Sequence, residues 1–307
     1  MDIRFPDELF NLTGNQSKLK YEIEHGKKIA HDKKILFCGI IRDAGDNLER
    51  NILRYKSCVQ PFKEAKLFLY ENDSKDNTLE VLQKYKCDKI DFVSESRKDS
   101  SYVEQVGKKE DPFHFHRCEV LSECRNKYMS LIQKNKWNEY YDFICMIDMD
   151  IIGGWSYDGF YHSIYMLDNV DDAACMSAYG VLADYTQTKS LDEVKNSQYV
   201  FYDSFAFRPI NMNPVIHKLQ TGYFNPILYN RGEEIDEVIS NFNGLAIYKS
   251  KYFTEDKLYK TNQWKEGYVD SEHIFFHQQI RKQGGKIYLN PNLIVSYVKH
   301  KYCKDNK

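Results

Sequence analysis

The amino-acid sequence predicts an α/β fold: a mixed sheet flanked by helices, in a single domain behind an N-terminal arm. Three observations lead there. Short apolar runs alternate with helical patterns from residue 34 to residue 95, the order that builds parallel βαβ units. The 307 residues are enough for one large hydrophobic core. No linker rich in Gly, Pro or Ser divides the chain, and no internal repeat is visible.

The elements follow in order. Residues 1–33 are polar and irregular, and are expected to form an arm or short helices. "KILFCGIIRD" (34–43) reads as a buried strand, an apolar run ending in charge. Residues 46–59 carry Leu48, Ile52, Leu53 and Val59 at near-helical spacing, with Asp46 as the expected N-cap. Residues 65–73 form a second strand, and 74–85 a turn leading into a helix capped near Asp76 or Asn77. Residues 89–95 are a third strand and 96–115 a polar loop. A long helix is expected over 116–137, with Leu121, Cys124, Tyr128 and Leu131 along one face, followed by a buried strand at 141–147. The second half is less regular. It offers strands at 172–179, 199–207, 242–248, 286–289 and 293–298, and a helix around 271–283 with Ile274, Phe275 and Gln278 on one face.

Composition excludes some classes of function. The formal net charge of −2 speaks against a broad nucleic-acid or anionic-membrane surface. No apolar run reaches the roughly 20 residues that span a bilayer, and the N-terminus lacks the pattern of a signal peptide. The eight cysteines show no CxxC spacing, which argues for reduced thiols rather than a zinc site or disulfide framework. A soluble chain in the cytoplasm, its own or a host's, is the expectation.

Three segments carry chemistry. "FICMIDMDIIGG" (143–154) ends an apolar run in Asp148 and Asp150. Alternate residues of a strand face one way, so both carboxylates would address one ligand. Two close carboxylates repel unless a cation lies between them, and hard divalent cations take oxygen ligands while keeping water or phosphate. "YENDSKDNT" (70–78) puts Glu71, Asn72 and Asp73 at the carboxyl end of a strand, where ligands of open parallel sheets sit. The same residues also suit a capped turn. In the helix that opens "HRCEVLSECRN", Arg117, Leu121 and Arg125 share a face, which would suit a phosphate or an acidic motif, or simply a pair of surface arginines. A phosphohydrolase of the haloacid dehalogenase type would also place a DxD after an apolar strand, but Ile152 stands where that motif has Thr or Val.

In this order the segments resemble a nucleotide-diphospho-sugar glycosyltransferase of the GT-A fold. "FYDSFAFR" (201–208), "NFNGLAIYK" (241–249) and "DSEHIFFHQQIRKQGGKIYLNPNLIVSY" (270–297) narrow the resemblance to the cryptococcal capsule mannosyltransferases, glycosyltransferase family 69. It covers roughly residues 35–300. It implies a GT-A type, Rossmann-like domain over 34–307, with a nucleotide-binding half (34–150) and an acceptor half (151–307). It implies Mn²⁺ or Mg²⁺ on Asp148 and Asp150, with His300 as a third ligand, since many GT-A enzymes return a C-terminal His to the metal. The nucleotide would lie at Glu71, Asn72 and Asp73, with Arg42, Arg117, Arg125 and Asp148. Glu272, Asp203 and Asp270 are the candidate catalytic carboxylates, and Arg208, Asn243 and Gly244 would line the donor sugar and acceptor. The implied partners are a GDP- or UDP-linked sugar and a glycan or glycoprotein acceptor. The chain departs from the family in its short N-terminus without an anchor and in having His273 and His277 where a cysteine pattern is expected. A non-catalytic glycan-binding or scaffolding domain on the same fold is the alternative.

Overall fold

The computed structural model describes residues 4–97, 115–183, 199–211, 229–262 and 269–298. Its elements are α1 (Gln16–Ala30), β1 (Lys34–Ile41), α2 (Gly45–Cys58), β2 (Glu64–Asn72), α3 (Thr78–Tyr85), β3 (Ile90–Glu95), α4 (Phe115–Lys134) and a short α5 (Trp137–Tyr140). They continue with β4 (Phe143–Ile147), β5 (Gly154–Trp155), α6 (Tyr157–Asn169), β6 (Ala173–Ala183), β7 (Tyr199–Phe201), β8 (Arg208–Pro209), β9 (Asp236–Ser240), β10 (Leu245–Lys249), α7 (Glu272–Lys282) and β11 (Lys286–Ser296).

One mixed sheet runs in the order β3-β2-β1-β4-β10-β6-β11-β9-β8, with β5 beside β11 and β7 beside β6. The half built first in sequence is parallel, because β1, β2, β3 and β4 are joined by helical crossovers. β10 then runs antiparallel between β4 and β6. Strand alternation divides the core between the two faces. Ile35 and Phe37 of β1 join a cluster under α1, α2 and α6, while Leu36 and Cys38 join one under α4 and α7. The mixed sheet flanked by helices is the class the sequence predicts.

Several details differ from the sequence reading. Residues 16–30 form a 15-residue helix capped by the Asn15 side chain, which accepts the Lys18 N–H. Its Leu19 and Ile23 pack into the core, and Gly26 lets its backbone touch that of Tyr161 in α6. α2 starts at Gly45 rather than behind an Asp46 cap. Its first donors are met from the next βα loop: the Gly45 N–H reaches Asp76 Oδ2 at 2.8 Å and the Ala44 N–H reaches Thr78 Oγ1 at 2.9 Å. α4 stops at Lys134 because Lys136 turns left-handed (φ 53°). α6 is not among the helices expected from the sequence; its aromatic, Gly- and Ser-bearing segment is buried along most of its length. The buried side of α7 holds Ile274, as expected, with His273, Phe276, His277 and Ile280, whereas Phe275 and Gln278 are only partly covered. β11 is one strand where two were expected. Its register shifts between Asn290 and Ile294, so the Asn-Pro segment is a bulge within it. Among the described residues, no helix is long and apolar enough to cross a membrane, and seven cysteines are free thiols, all buried except Cys87.

Candidate active site

The aspartate pair stands at the carboxyl end of β4. The strand itself stops at Ile147, short of the pair. The alternation nonetheless persists, because Met149 and Ile151 are fully buried while Asp148 is 25% exposed and Asp150 is exposed. The turn is pinned from beneath. Asn51 of α2 donates its side-chain amide to the carbonyls of Met149 (2.9 Å) and Ile151 (2.8 Å), and the Asp148 N–H donates to Gly244 O at 2.8 Å. Both carboxylates are thereby presented on the same side without a ladder of strand hydrogen bonds.

Arg125 joins this pair to α7. It is 4% exposed, its Nε lies 2.9 Å from Glu272 Oε1, and its Nη2 lies 3.8 Å from Asp148 Oδ1. The guanidinium also lies over the rings of Phe242 and Tyr259, at 5.1 and 5.6 Å from their centroids. Arg117, two turns earlier on α4, is exposed, so the two arginines do not share one environment. Its charge still reaches Asp150 and Asp203. Negative charge exceeds positive here. Burial, reinforced by Asp150, Asp203 and Glu272, pushes the Asp148 carboxyl up to about 7 against the pull of Arg125. Burial likewise raises Asp150 and Asp203.

The β6–β7 and β9–β10 segments bring up the far side. Asn243 (φ 55°) and Gly244 (φ 84°) are consecutive left-handed residues, which makes the sharp turn that delivers the Gly244 carbonyl to Asp148. A side chain at Gly244 would collide with the Tyr297 hydroxyl, which lies 3.5 Å from Asp148 Oδ2. Asn243 accepts the Asp203 N–H through Oδ1 (3.0 Å), and Asp203 Oδ1 accepts the Ala206 N–H (3.1 Å). Arg208 and Asp270 are turned towards each other. Their buried ion pair spans 3.2 Å, and the same guanidinium donates to the carbonyls of Phe205 and Phe207. Among the described residues, Arg208 Nε and both ring nitrogens of His273 are buried without a hydrogen bond. His273 stacks on Phe242, with its Nε2 3.6 Å from Glu272 Oε1, and burial holds its pKa well below the usual range. Tyr297, Tyr202 and His273 were not singled out as site residues from sequence. Their only signal was their place inside the aromatic segments at 201–208 and 270–297.

The edge made by β1, β2 and β3 carries the remaining candidates. Glu71 is fully buried and spends its carboxylate on the loop, accepting from the Ser74 N–H (2.8 Å) and from the Ser94 hydroxyl. Asp73, left-handed at φ 52°, accepts from the Ser96 hydroxyl and the Arg97 N–H. Despite some burial, those bonds, with Asn72 and the charge of Arg42, hold its carboxyl below the ordinary range. Arg42 also lies 3.5 Å from Asp43. Asn72 meets Cys124 of α4, one residue from Arg125, so this edge and the acid cluster adjoin.

The donor set at the cluster is oxygen only, which fits a hard divalent cation, and its surplus of carboxylates would be relieved by one. Asp148 and Asp150 are side chains that could hold it. Among the described residues, no group of three or more His, Cys, Asp or Glu forms a metal cluster, and His300 lies outside the described residues.

Comparison with known proteins follows the same line. The sequence model of a family described as cryptococcal mannosyltransferase 1 matches residues 34–279. No curated protein matches the chain. Solved structures similar to it include GalNAc-T7 with UDP, GalNAc and Mn²⁺ (10% identity, TM-score 0.46, 96% of this chain and 55% of that one). Others are S. aureus TarS 1-349 (12%, 0.45, 86% and 60%) and the Pyrobaculum calidifontis mannosyltransferase PcManGT with GDP-Man and Mn²⁺ (9%, 0.48, 91% and 64%). The chain thus spans less than two thirds of the length of these solved chains. The family match and the strand order together identify the fold as GT-A.

Proposed function

The chain belongs to the cryptococcal mannosyltransferase 1 family, and from that premise we propose that it transfers a sugar from a GDP- or UDP-linked donor to a hydroxyl of a glycan or glycoprotein. The observation that carries the reading is the acid cluster. Asp150, Asp203 and Glu272 all act electrostatically on Asp148, just past the carboxyl end of β4, and the buried Arg125 lies against Glu272 and Asp148. Mn²⁺ or Mg²⁺ held by Asp148 and Asp150 would screen the diphosphate and ease its departure as a Lewis acid. Arg117, exposed and acting on Asp150, would offer charge to the same phosphates. Asp73, Asn72 and Arg42 face the nucleoside at the β1–β3 edge, with Glu71 holding their loop in shape. Asp203 and Glu272 belong to the acceptor end. Burial raises the Asp203 carboxyl towards the range useful to a general base, and its contact with the Ala206 N–H fixes its direction. Arg125 orients Glu272 and limits its repulsion with Asp148. Arg208 and Asp270 brace the segment that carries Asp203.

The test is donor hydrolysis with a panel of UDP- and GDP-sugars and Mn²⁺, which needs no known acceptor. Turnover should appear with one donor class, stop in excess EDTA, and be abolished by Asp150→Asn in a folded protein. Full turnover in EDTA would remove the metal from the reading.

A further inference from the structure

Tyr202 is 40% exposed, although it immediately precedes Asp203 of the acid cluster. Its ring lies flat on Tyr297, with centroids 3.6 Å apart and planes 18° from parallel. Both partners are fixed. The Tyr202 N–H donates to Gly180 O at 3.0 Å, and the Tyr297 N–H donates to Val181 O at 2.9 Å, so both backbones are tied to β6. Tyr297 is itself 7% exposed and reaches Asp148 with its hydroxyl. One face of Tyr202 is therefore backed by a buried ring. The exposed part of Tyr202 thus belongs to a ring that is stacked on a buried partner beside the acid cluster.

We propose that Tyr202 is the stacking platform for a pyranose ring of the acceptor. The inference rests on the transferase reading above and deepens it. A pyranose has an apolar C–H face and a rim of hydroxyls. An aromatic ring presents its negative face to polarised C–H groups, and nearby carboxylates accept hydrogen bonds from the hydroxyls. Asp203, the next residue in the chain, supplies such an acceptor. The position in the sheet assigns the platform to the acceptor and not to the nucleotide base. β1, β2 and β3 lie on one side of β4, whereas Tyr202 follows β7, which pairs with β6 beyond β10 on the other side. The aspartate pair lies between the two.

The experiment uses the whole chain with Mn²⁺, the donor that the wild type hydrolyses, and a panel of p-nitrophenyl hexopyranosides as acceptor probes. Tyr202→Ala should raise the acceptor KM about tenfold and lower the ratio of transfer to hydrolysis by a similar factor, with a much smaller effect on donor KM. Tyr202→Phe and Tyr202→Trp keep an aromatic face and should stay near wild type, which separates stacking from a fold defect. An unchanged acceptor KM in Tyr202→Ala would overturn the proposal, as would a donor KM that rises more than the acceptor KM. Donor hydrolysis without transfer to any pyranoside would also overturn it and leave the transferase reading standing. Absence of hydrolysis with every donor would instead strike the transferase reading, and the platform would fall with it.

Discussion

Arg125→Met removes a guanidinium that bridges Asp148 and Glu272, and the consequence can be estimated from the contacts. Glu272 is 3% exposed and loses its 2.9 Å partner, keeping Ser271 Oγ at 3.4 Å and the His273 ring at 3.6 Å. Asp148, already held high by burial, loses the charge that pulls it down. Deleting one member of a buried ion pair costs about 3–5 kcal/mol, because the other is left charged and uncompensated. Methionine fills much of the space over Phe242 and Tyr259, so little of this comes from a cavity. For a chain of 307 residues the unfolding entropy near the midpoint is about 0.6 kcal/mol/K, so Tm should fall by about 5–8 °C. Differential scanning calorimetry reads this directly. Adding Glu272→Gln removes the stranded charge, and the double variant should recover much of the loss; a double-mutant cycle isolates the coupling. A drop of less than about 2 °C in Arg125→Met, or two losses that simply add, would refute the view that Arg125 neutralises this cluster.

Gly244→Ala should cost at least about 1–2 kcal/mol for its left-handed backbone, with a further loss from the Tyr297 hydroxyl. Because the Gly244 carbonyl holds the Asp148 N–H, the Mn²⁺ needed for half-maximal donor hydrolysis should rise, and a metal titration beside a melting curve checks both. His277 gives a pH dependence. It is fully buried between Ser240 and Tyr248, and burial pushes its pKa from 6.5 down to about 3. The unfolded chain therefore binds the proton first as pH drops below 6.5, and stability falls on acidification, by about 2 kcal/mol at pH 5. Asp7, raised by burial to about 6, acts in the opposite sense, so the measurement is the difference between wild type and His277→Gln in urea midpoints at about pH 7.5 and pH 5. Gly26→Ala would set a methyl against the Tyr161 carbonyl. A loss of about 1–3 kcal/mol and faster tryptic cleavage within α1 are expected.

Legibility from sequence followed the kind of signal available. The first half was readable because each strand is a continuous apolar run closed by charge, as in β1 and β4, and each helix beside it has a wet face. α6 lacks the wet face of those helices: eight of its residues are buried, among them the polar His162 and Ser163, and its Gly and aromatic residues are poor helix signals. β9 has only a weak alternation and lies near the sheet edge. The aspartate pair was visible as residues, but not the reason the two point together, which is the grip of Asn51 on two carbonyls about a hundred positions away. Arg125 stood out as suited to a phosphate or an acidic motif, and its contacts with Glu272 and Asp148 were not legible as such. Long-range pairing of this sort leaves no local pattern, and neither does the stack of Tyr202 on Tyr297.

The strand order also governs how the molecule is assembled during synthesis. β1 to β4 can associate once about half of the chain has emerged, with each new parallel strand joining its predecessors through a nearby crossover. β6 then waits. Its neighbours on either side, β10 and β11, are made some 60 and 100 residues later. Until β11 arrives, one edge of the apolar strand β6 presents unpaired backbone N–H and C=O groups, and β9 lacks the strand that joins it to the rest of the sheet. A nascent or truncated chain ending before Lys286 would expose this seam and offer it to other chains. Its yield in a cell should therefore depend on how promptly the last described strand is translated, rather than on the stability of the finished fold.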